Sequence, residues 1–313
     1  MRTVPFSRLS GLHIASALLL AVFVSLPAAD AQSGRLPSDS IRALIRTRAA
    51  QLPGAEVAVA IHDLASGQRL DLNGDVVFHA ASTMKVPVLI DLLREVDAGR
   101  LRLDQPLLLV NAYHSIVDGS PYRLDATDDS DSLVFAKVGD FVPIRWLAQR
   151  MITHSSNLAT NALIAILDPA RATRTMATVG ARNTLVLRGV EDDLAYRAGR
   201  NNVTSANDLT AILTALERGE AASSSSTLVM REFLLQQFFD EQIPAGLPPG
   251  TKVAHKTGWI TATQHDAAIV YPPDRAPFVL VVLTRGIPDR RAANALIADI
   301  AEITWSWLNQ GPP

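Results

Sequence analysis

The spacing of apolar positions changes from a helical to a strand period and back along the chain. Apolar residues recur every three or four positions over residues 38–54, which predicts a first helix ended by Pro53-Gly54. Apolar and polar side chains then alternate over residues 55–75, as in a β-hairpin. The helical period returns over residues 82–99, where a glycine ends it.

The middle of the chain has helical patterns between two irregular stretches. Residues 111–132 are polar, follow neither period and predict a long surface loop. Helical periods follow over residues 144–156 and 157–167, and Pro169 is predicted to close the second helix. Residues 187–203 again fit neither period, which indicates an ordered irregular loop.

The last third of the chain changes from helix to strand. Ser205 and Asp208 form a capping-box pattern for a helix that runs to Gly219, and the serine-rich residues 221–227 are predicted to be a short connector. An amphipathic helix over residues 291–308 ends the pattern. Between the connector and this helix, three strands are predicted at hairpin spacing, over residues 251–259, 265–273 and 277–286.

This order of elements predicts an α/β fold of the α+β kind. Strands near both ends of the chain would pair into one antiparallel sheet, the terminal helices would cover it, and the helices between would form an inserted all-helical domain. The predicted boundaries place a discontinuous α/β domain at residues 32–81 and 205–313, and the helical domain at residues 82–204.

The composition of the first 31 residues differs from that of the rest. Arg2 and Arg8 precede a run of apolar residues, and Ala29-Asp30-Ala31 offers a small-x-small cleavage site. Residues 1–31 are therefore interpreted as a secretory signal peptide, with an uncleaved membrane anchor as the alternative. Cleavage would release a chain without a membrane anchor into the bacterial periplasm or the extracellular space.

Charge and cysteine content exclude several classes of protein. The net charge is −2 at pH 7, so no nucleic-acid partner is expected. The chain contains no cysteine, which excludes disulfides and thiolate-bound metals. It also lacks the H-E-x-x-H metal motif, the G-x-S-x-G elbow and the phosphate-binding glycine loop. We therefore expect a monomer that acts on a small molecule without a metal or other cofactor.

One lysine lies three residues after a serine at the start of a predicted helix. Ser82 and Lys85 would share one face of that helix, about one turn apart. A serine needs a nearby base to become a nucleophile, and burial lowers the pKa of a lysine towards the range where it can serve. The unpaired N–H groups at a helix start also favour an oxyanion. Ordinary helices carry this spacing too, so the motif alone has little weight.

Two further motifs change that balance. Ser155-Ser156-Asn157 lies at the boundary of two predicted helices, where an ordinary N-cap is the alternative. Lys256-Thr257-Gly258 lies in a predicted strand, where a solvated edge lysine is the alternative, although glycine there often marks a close approach of backbone or ligand. Two of the four lysines of the chain fall within the three motifs.

The ordered motifs S-x-x-K, S-x-N and K-T-G resemble the active-site signature of the class A β-lactamases and penicillin-binding proteins. The resemblance covers nearly the whole chain after residue 31 and implies a β-lactamase/transpeptidase-like fold. It implies that Ser82 attacks the substrate carbonyl, that Lys85 helps remove its proton and that Ser155 relays a proton to the leaving nitrogen. The backbone N–H groups of Ser82 and Trp259 would form the oxyanion hole.

The same resemblance implies the substrate contacts. Asn157 would hold the amide side chain of the substrate. Lys256 and Thr257, in the motif that ends at Gly258, would face the substrate carboxylate as a compact charge and a hydroxyl donor.

The sequence departs from the family pattern in the loop that supports deacylation. The class A loop carries E-x-x-L-N, whose Glu and Asn hold the deacylating water, whereas here Glu191 begins E-x-x-L and Ala195 replaces the Asn. Arg188 lies three residues before Glu191 instead of two, and the asparagines at 201–202 replace the acidic partner of the loop. Ser156 stands where class A enzymes usually have Asp. Glu191 is interpreted as the deacylating base, with a solvated loop carboxylate as the alternative.

A few other residues near the motifs could contribute to the site. Tyr113 or Tyr122, in the predicted surface loop, could form a wall of the site. His79, His154 and His255 each flank a motif and are interpreted as packing residues.

Three functions remain open at this point. The first is an exported class A-like serine β-lactamase. The second is a D-alanyl-D-alanine peptidase, penicillin-binding protein or esterase of the same fold with slow deacylation. The third is a non-catalytic module that binds cell-wall fragments. The substrate would be a β-lactam or a peptide that resembles a peptidoglycan stem.

Overall fold

A five-stranded antiparallel sheet lies at the centre of the computed structural model, which describes residues 36–309. The strand order across the sheet is β2-β1-β11-β10-β9, and three two-stranded pairs (β3-β8, β4-β7 and β5-β6) lie outside it. The strands are β1 (Glu56–Asp63), β2 (Arg69–Leu72), β3 (Phe78–His79), β4 (Pro106–Leu108), β5 (Tyr113–His114), β6 (Pro121–Tyr122), β7 (Phe141–Pro143), β8 (Val203–Thr204), β9 (Lys252–Ile260), β10 (Thr263–Tyr271) and β11 (Phe278–Arg285).

Helices cover the sheet and form most of the central part of the chain. The chain also forms two short 3-10 turns, at Ala81–Met84 and Ile243–Gly246. The helices are α1 (Ser38–Ala49), α2 (Lys85–Asp97), α3 (Ser132–Phe135), α4 (Ile144–Thr153), α5 (Asn157–Ile164), α6 (Pro169–Thr178), α7 (Asp193–Arg197), α8 (Ala206–Glu217), α9 (Ser224–Leu235) and α10 (Arg290–Asn309).

The two faces of the sheet border two separate hydrophobic cores. Val59 of β1 belongs to the core shared with α1 and α10, whereas its neighbour Ala60 belongs to the core shared with the helical part. Successive side chains of a strand point to opposite faces, so β1 contributes to both cores. Strand β11 pairs on both sides, with Val281 opposite Ala60 and Ala267, and is buried along most of its length. This explains its nearly continuous apolar sequence.

The predicted fold class is confirmed. Strands from both ends of the chain form one antiparallel sheet, α1 and α10 cover one face, and helices fill the middle of the chain. The predicted cap of α8 is also present, since the Asp208 N–H donates to Ser205 Oγ at 3.1 Å. The boundaries at residues 81–82 and 204–205 stay a prediction. The proposed signal peptide, residues 1–31, lies outside the described residues.

Two helices correct the sequence interpretation. Helix α5 ends at Ile164, and Pro169 begins α6 instead of closing the helix before it. Asp168 caps α6 by accepting the Ala170 N–H at 3.0 Å, and a proline fits the first helical turn because no N–H is needed there. The serines of the predicted connector 221–227 open α9, which Ser223 caps.

The two irregular stretches contain short elements. Residues 111–132 include the β5-β6 pair, and residues 187–203 include the five-residue helix α7 and the start of β8. Both stretches remain irregular elsewhere, as predicted. Within residues 36–309, no helix is both long and apolar enough to cross a bilayer.

Candidate active site

Ser82 lies in the 3-10 turn that leads into α2. Ala81, just before it, has a left-handed backbone with φ of +45°, which is rare for a residue with a side chain. The Ala81 N–H donates to His79 Nδ1 at 3.0 Å, and the Thr83 hydroxyl donates to the Ala80 carbonyl at 2.6 Å. Thr83 is buried whereas Ser82 is partly exposed. The turn therefore presents the serine to solvent on a fixed backbone.

Strand β9 runs directly beside this turn. A Cβ atom placed on Gly258 would lie 2.9 Å from Ser82 N and 3.0 Å from Thr83 N. Those contacts are too short for any side chain, so the glycine of the third motif allows the backbone of β9 to approach the serine. The close approach that the sequence suggested for Gly258 is thus present, and the approaching group is backbone.

Lys85 is fully buried one helical turn from Ser82. Its Nζ donates to the Ser155 carbonyl at 2.6 Å, to Asn157 Oδ1 at 2.9 Å and to Ser155 Oγ at 3.2 Å. Burial lowers the pKa of Lys85 to about 7, against the opposing effects of the Asp129 and Glu191 carboxylates. A large part of the population is therefore neutral near pH 7 and able to accept a proton.

Ser155 connects the two buried lysines of the motifs. Lys256 Nζ donates to Ser155 Oγ at 3.0 Å and to the Thr257 carbonyl at 2.9 Å. Burial, reinforced by the charge of Lys85, lowers the pKa of Lys256 well below its usual range. A hydroxyl oxygen accepts two hydrogen bonds, and both positions on Ser155 Oγ are taken by lysines. Its own proton is then available to a ligand.

Asn157 links Lys85 to the irregular loop. Its Oδ1 accepts from Lys85, and its Nδ2 donates to Glu191 Oε1 at 3.0 Å. Partial burial and the nearby Asp128 and Asp193 raise the pKa of Glu191, while Lys85 lowers it. The residue itself remains exposed and has a left-handed backbone with φ of +60°.

The structure brings the predicted site residues around one cleft of about 470 Å³. Ser82, Ser155, Asn157, Glu191 and Trp259 line it. The three motifs and residues 187–203, called the Glu191 loop, are therefore neighbours in space. The remaining members, Lys85, Lys256, Thr257 and Gly258, are buried directly behind the lining.

Several predicted details have a clear structural account. Ser156 is buried, caps α5 by accepting the Ala159 N–H at 3.1 Å and donates to Asp129 Oδ2 at 3.2 Å. It therefore acts as an N-cap, as sequence reasoning allowed for this motif. The Thr257 hydroxyl oxygen is buried and has no hydrogen-bond partner among the described residues.

The Glu191 loop closes on itself through Arg188. Its guanidinium donates to the Arg200 carbonyl at 3.0 Å and to Asn201 Oδ1 at 2.9 Å, and Asn202 Oδ1 accepts the Arg188 N–H at 3.1 Å. Burial lowers the pKa of Arg188. Ala195 is buried and donates its N–H to Asp192. The side chains of Asn201 and Asn202 thus close the loop through hydrogen bonds from Arg188.

The histidines and tyrosines near the motifs have mainly structural contacts. His79 lines the cleft, and burial together with the charges of Arg188 and His265 lowers its pKa to about 4. His255 lies buried in β9 with Nδ1 3.0 Å from Asp266. Tyr113 packs against Tyr122 with ring centroids 5.8 Å apart, beneath the Glu191 loop. Neither tyrosine is among the described residues that line the cleft.

Two aromatic side chains that sequence reasoning missed, Phe238 and Phe239, form with His154 and Trp259 an aromatic row that reaches the cleft at Trp259. His154 stacks on Phe238 at 5.1 Å, Phe238 contacts Phe239 at 5.4 Å, and Phe239 contacts Trp259 at 5.0 Å. Arg290 lies over the Trp259 ring at 4.5 Å. Phe238 is 65% exposed, which is unusual for so large an apolar side chain. The Phe-Phe pair in the sequence was its only signal.

The described residues include no group of three or more His, Asp or Glu side chains arranged to hold a metal ion. The site instead combines one partly exposed hydroxyl, two amines buried behind the cleft and a loop carboxylate with a raised pKa. Such an arrangement can activate a serine and supply a base for a second step.

Comparisons with known proteins agree with this arrangement. The chain is 28% identical over 255 residues to a β-lactamase from Streptomyces albus G, which covers 80% of this chain and 79% of that protein. Its fold matches a β-lactamase from Xanthomonas campestris pv. campestris with a TM-score of 0.76 and 26% identity, over 87% of this chain and 98% of that one. It also matches a mutant of PBP-A, solved as its acyl-enzyme complex with penicillin G, with a TM-score of 0.73 and 26% identity, over 88% and 98%.

A family model covers almost all of the described structure. The model of the β-lactamase enzyme family matches residues 37–308, which include all three motifs and the Glu191 loop. Together with the fold and the cleft, this match shows that the chain belongs to the β-lactamase enzyme family.

Proposed function

We propose that this chain is an exported serine β-lactamase, which opens the lactam ring by acylating Ser82 and then hydrolyses the ester with the help of Glu191. The single observation that carries the proposal is the bridge through Asn157. This side chain binds both Lys85 and Glu191, so it connects the proposed base of each half-reaction at the cleft that Ser82, Asn157 and Glu191 line.

Acylation would use the buried lysine and the shared serine. Neutral Lys85 accepts the proton of Ser82 as the hydroxyl attacks the lactam carbonyl. The oxyanion is held by the backbone N–H groups of Ser82 and Trp259, which the absence of a side chain at Gly258 allows to converge. Ser155 donates its proton to the nitrogen released from the ring.

Deacylation would use the carboxylate of the loop. Glu191 takes a proton from a water that attacks the acyl-Ser82 ester. The pKa of Glu191 is raised towards neutral pH. A carboxylate with such a pKa is a stronger general base than an ordinary glutamate. The hydrogen bond from Asn157 Nδ2 holds one carboxylate oxygen in place, which leaves the other to face the water.

Substrate binding would follow the assignments that the resemblance implies. Asn157 meets the amide side chain of the β-lactam. A bound substrate carboxylate would give the unpaired Thr257 hydroxyl an acceptor and would favour the charged form of Lys256. No metal or other cofactor takes part in this proposal.

Export rests on the sequence of the first 31 residues. Expression in a bacterium should yield a mature chain in the periplasm or medium that begins at Gln32, which amino-terminal sequencing would establish. Recovery of the full-length chain in the membrane fraction would instead support the uncleaved anchor. We propose that the mature chain is a monomer, which light scattering would test.

Turnover of a chromogenic cephalosporin by the purified protein is the first test. Hydrolysis should be rapid with wild type and absent with Ser82→Ala, a substitution that removes the nucleophile and leaves the fold intact. Turnover no faster than that of the Ser82→Ala control would reject a β-lactamase.

A penicillin-binding protein, peptidase or esterase with slow deacylation is the second candidate. Two observations favour it. Ala195 offers no side-chain group to hold a water, and one of the similar structures is an acyl-enzyme of PBP-A with penicillin G. Intact-protein mass spectrometry after addition of penicillin separates the two candidates. A persistent adduct supports the second, whereas rapid return to the free mass supports the β-lactamase. Failure of every acylating probe to label Ser82 would revive a non-catalytic cell-wall-binding module.

A further inference from the structure

Glu191 needs support that its own loop does not provide. Its left-handed backbone is strained for a residue with a side chain. Ala195, in the same loop, offers no polar side-chain group, and the Arg188 guanidinium closes the loop by donating to Asn201 Oδ1 at 2.9 Å. Strained backbone persists only where the surroundings hold it. The residues on either side of Glu191 show how this is done.

The residue before Glu191 is held by a buried side chain of α5. Asn161 Oδ1 accepts the Val190 N–H at 2.7 Å, and Asn161 Nδ2 donates to the Val190 carbonyl at 2.9 Å. Asn161 is only 1% exposed. A Cβ on Gly189 would lie 2.6 Å from Asn161 Oδ1, so this approach requires a glycine there.

The residue after Glu191 is held by the opposite loop. Asp192 is 2% exposed; its Oδ1 accepts from Ser115 Oγ at 2.8 Å, and its Oδ2 accepts the Ile116 N–H at 3.0 Å. Burial alone would raise the pKa of Asp192, but the hydrogen bonds from Ala195, Ile116 and Ser115 lower it overall. In addition, Arg200 Nη1 donates to the Ile116 carbonyl at 2.9 Å. The stretch 111–132 is therefore tied to both ends of the Glu191 loop.

We propose that Asp192 and Ser115 form a clasp that aims the Glu191 carboxylate and thereby sets the rate of deacylation. The inference rests on the proposed function. It assigns a positioning role to the stretch 111–132, which none of the three motifs includes. Glu191 is fixed between two anchored neighbours, Val190 and Asp192, so release of either one lets its carboxylate move. A displacement of about 1 Å in such a group costs on the order of 100-fold in rate.

Kinetics distinguish a positioning role from a structural one. In a reaction through an acyl-enzyme, kcat/KM reports the steps up to acylation, whereas kcat includes deacylation. A clasp that acts only through Glu191 should lower kcat and KM together and leave kcat/KM unchanged. A general loosening of the fold would instead lower kcat/KM and the melting temperature.

The test uses two clasp variants and one matched control. Ser115→Ala removes the hydrogen bond to Asp192 Oδ1 and also the one that Ser115 Oγ accepts from the Val117 N–H at 3.2 Å. Asp192→Asn replaces one of the two oxygens that accept from Ser115, Ile116 and Ala195 by an amide nitrogen, which cannot accept. Asp125→Asn makes the same change at an exposed residue of the stretch 111–132 that does not line the cleft and whose carboxylate, among the described residues, accepts only from Thr127.

We expect a fall in deacylation rate of about 10-fold for Ser115→Ala and of about 100-fold for Asp192→Asn. Their acylation rates should stay within about 2-fold of wild type, since neither change reaches the acylating groups. Both rates of Asp125→Asn should do the same, since in the described part of the chain this residue neither bonds to the clasp nor lines the cleft.

Time-resolved mass spectrometry of the penicillin adduct measures the two steps separately. Accumulation of acyl-enzyme in the clasp variants, with the control and wild type alike, is the expected result. Release of the adduct at the wild-type rate by both clasp variants would overturn the clasp alone, even if wild type itself deacylates slowly. A wild-type protein that never forms the adduct would overturn the proposed function instead.

Discussion

At the scale of single residues, the site depends on two buried amines whose pKa values are lowered. Lys85 and Lys256 both donate to one hydroxyl, that of Ser155, at 3.2 and 3.0 Å. Burying two charged ammonium groups this close together is costly, and this cost lowers the pKa of both lysines. The same burial that makes the lysines less readily protonated allows Lys85 to act as a base near neutral pH.

The acylation rate should therefore depend on pH through Lys85. Below about pH 7 the amine is protonated and cannot accept the Ser82 proton, so the rate should fall about tenfold for each further pH unit. Above that midpoint the rate should level off. Stopped-flow acylation under single-turnover conditions measures this step without deacylation. A rate that does not change from acid to neutral pH would contradict the role of Lys85.

Gly258 provides a second residue-scale prediction. The Cβ of Gly258→Ala would lie 2.9 Å from Ser82 N, which pushes β9 away and misplaces the Trp259 N–H. Loss of one oxyanion donor costs about 100-fold or more, so kcat/KM should fall by that order. Lys252→Ala, at an exposed position of the same strand, is the matched control and should retain activity. Wild-type acylation by Gly258→Ala would show that the close approach has no catalytic consequence.

The sequence predicted the identity of these residues but not their connections. The spacing of S-x-x-K, S-x-N and K-T-G indicated which residues to place together. The bridge from Lys85 through Asn157 to Glu191 could not be derived, because it joins three elements whose separation depends on packing. Asp192 was not singled out, since nothing local in the sequence indicates that Ser115 lies against it.

At the scale of elements, the errors concerned helix boundaries. Pro169 and the serines at 223–226 are also typical of turns, and only their position relative to an apolar stripe makes them helix starts. The consequence reaches the site, because α9 packs against β9, α2 and α4. It leads directly to Phe238, whose N–H donates to the Thr153 carbonyl at 2.9 Å. The aromatic row thus depends on α9, whose start was predicted from the sequence as a connector.

The aromatic row should bind apolar groups on the part of the substrate that faces Ser155. His154 is adjacent to Ser155, and the row continues to Trp259 in the cleft. Phe238→Ala should raise the KM of cephalosporins with an aromatic substituent on the leaving side by about 2- to 10-fold, as the loss of one aromatic contact predicts. Cephalosporins with a small substituent there should be little affected.

A second exposed phenylalanine provides the control for this prediction. Phe141 of β7 is 69% exposed, comparable with Phe238, and lies outside the aromatic row. Phe141→Ala should leave both classes of substrate unchanged. Equal effects of the two substitutions, or equal effects of Phe238→Ala on both substrate classes, would show that the row does not bind the substituent.

At the scale of the whole molecule, the cleft lies where the edge strand of the sheet meets the helical part. β9 supplies one side, the Ser82 turn and α5 supply another, and the Glu191 loop covers a third. The core next to the cleft is the one shared with the helical part, whereas the core beneath α1 and α10 lies on the opposite face of the sheet. The antiparallel sheet and both terminal helices were predictable from the hydrophobic periodicity of the sequence. The position of the cleft was not, because it depends on how these elements pack together.

This separation predicts that stability and activity can be changed independently. Trp307 of α10 is 1% exposed in the far core, and its Nε1 donates to the Leu36 carbonyl at 2.9 Å. Trp307→Ala should cost about 3–5 kcal/mol of unfolding free energy. The melting temperature should fall by roughly 2–4 °C for each kcal/mol. At temperatures where the variant stays folded, kcat and kcat/KM should equal those of wild type, because the cavity is left on the face of the sheet away from Ser82.

Trp305, two residues earlier in the same helix, tests whether burial causes this loss. It is only partly buried and contacts Phe278 at the edge of the same core, so Trp305→Ala should lower the melting temperature less than Trp307→Ala. Thermal unfolding followed by circular dichroism, with steady-state kinetics well below the transition, gives both quantities for each variant. A folded Trp307→Ala protein with impaired acylation would show that the two cores are coupled through the sheet, and the independence of scaffold and site would then be wrong.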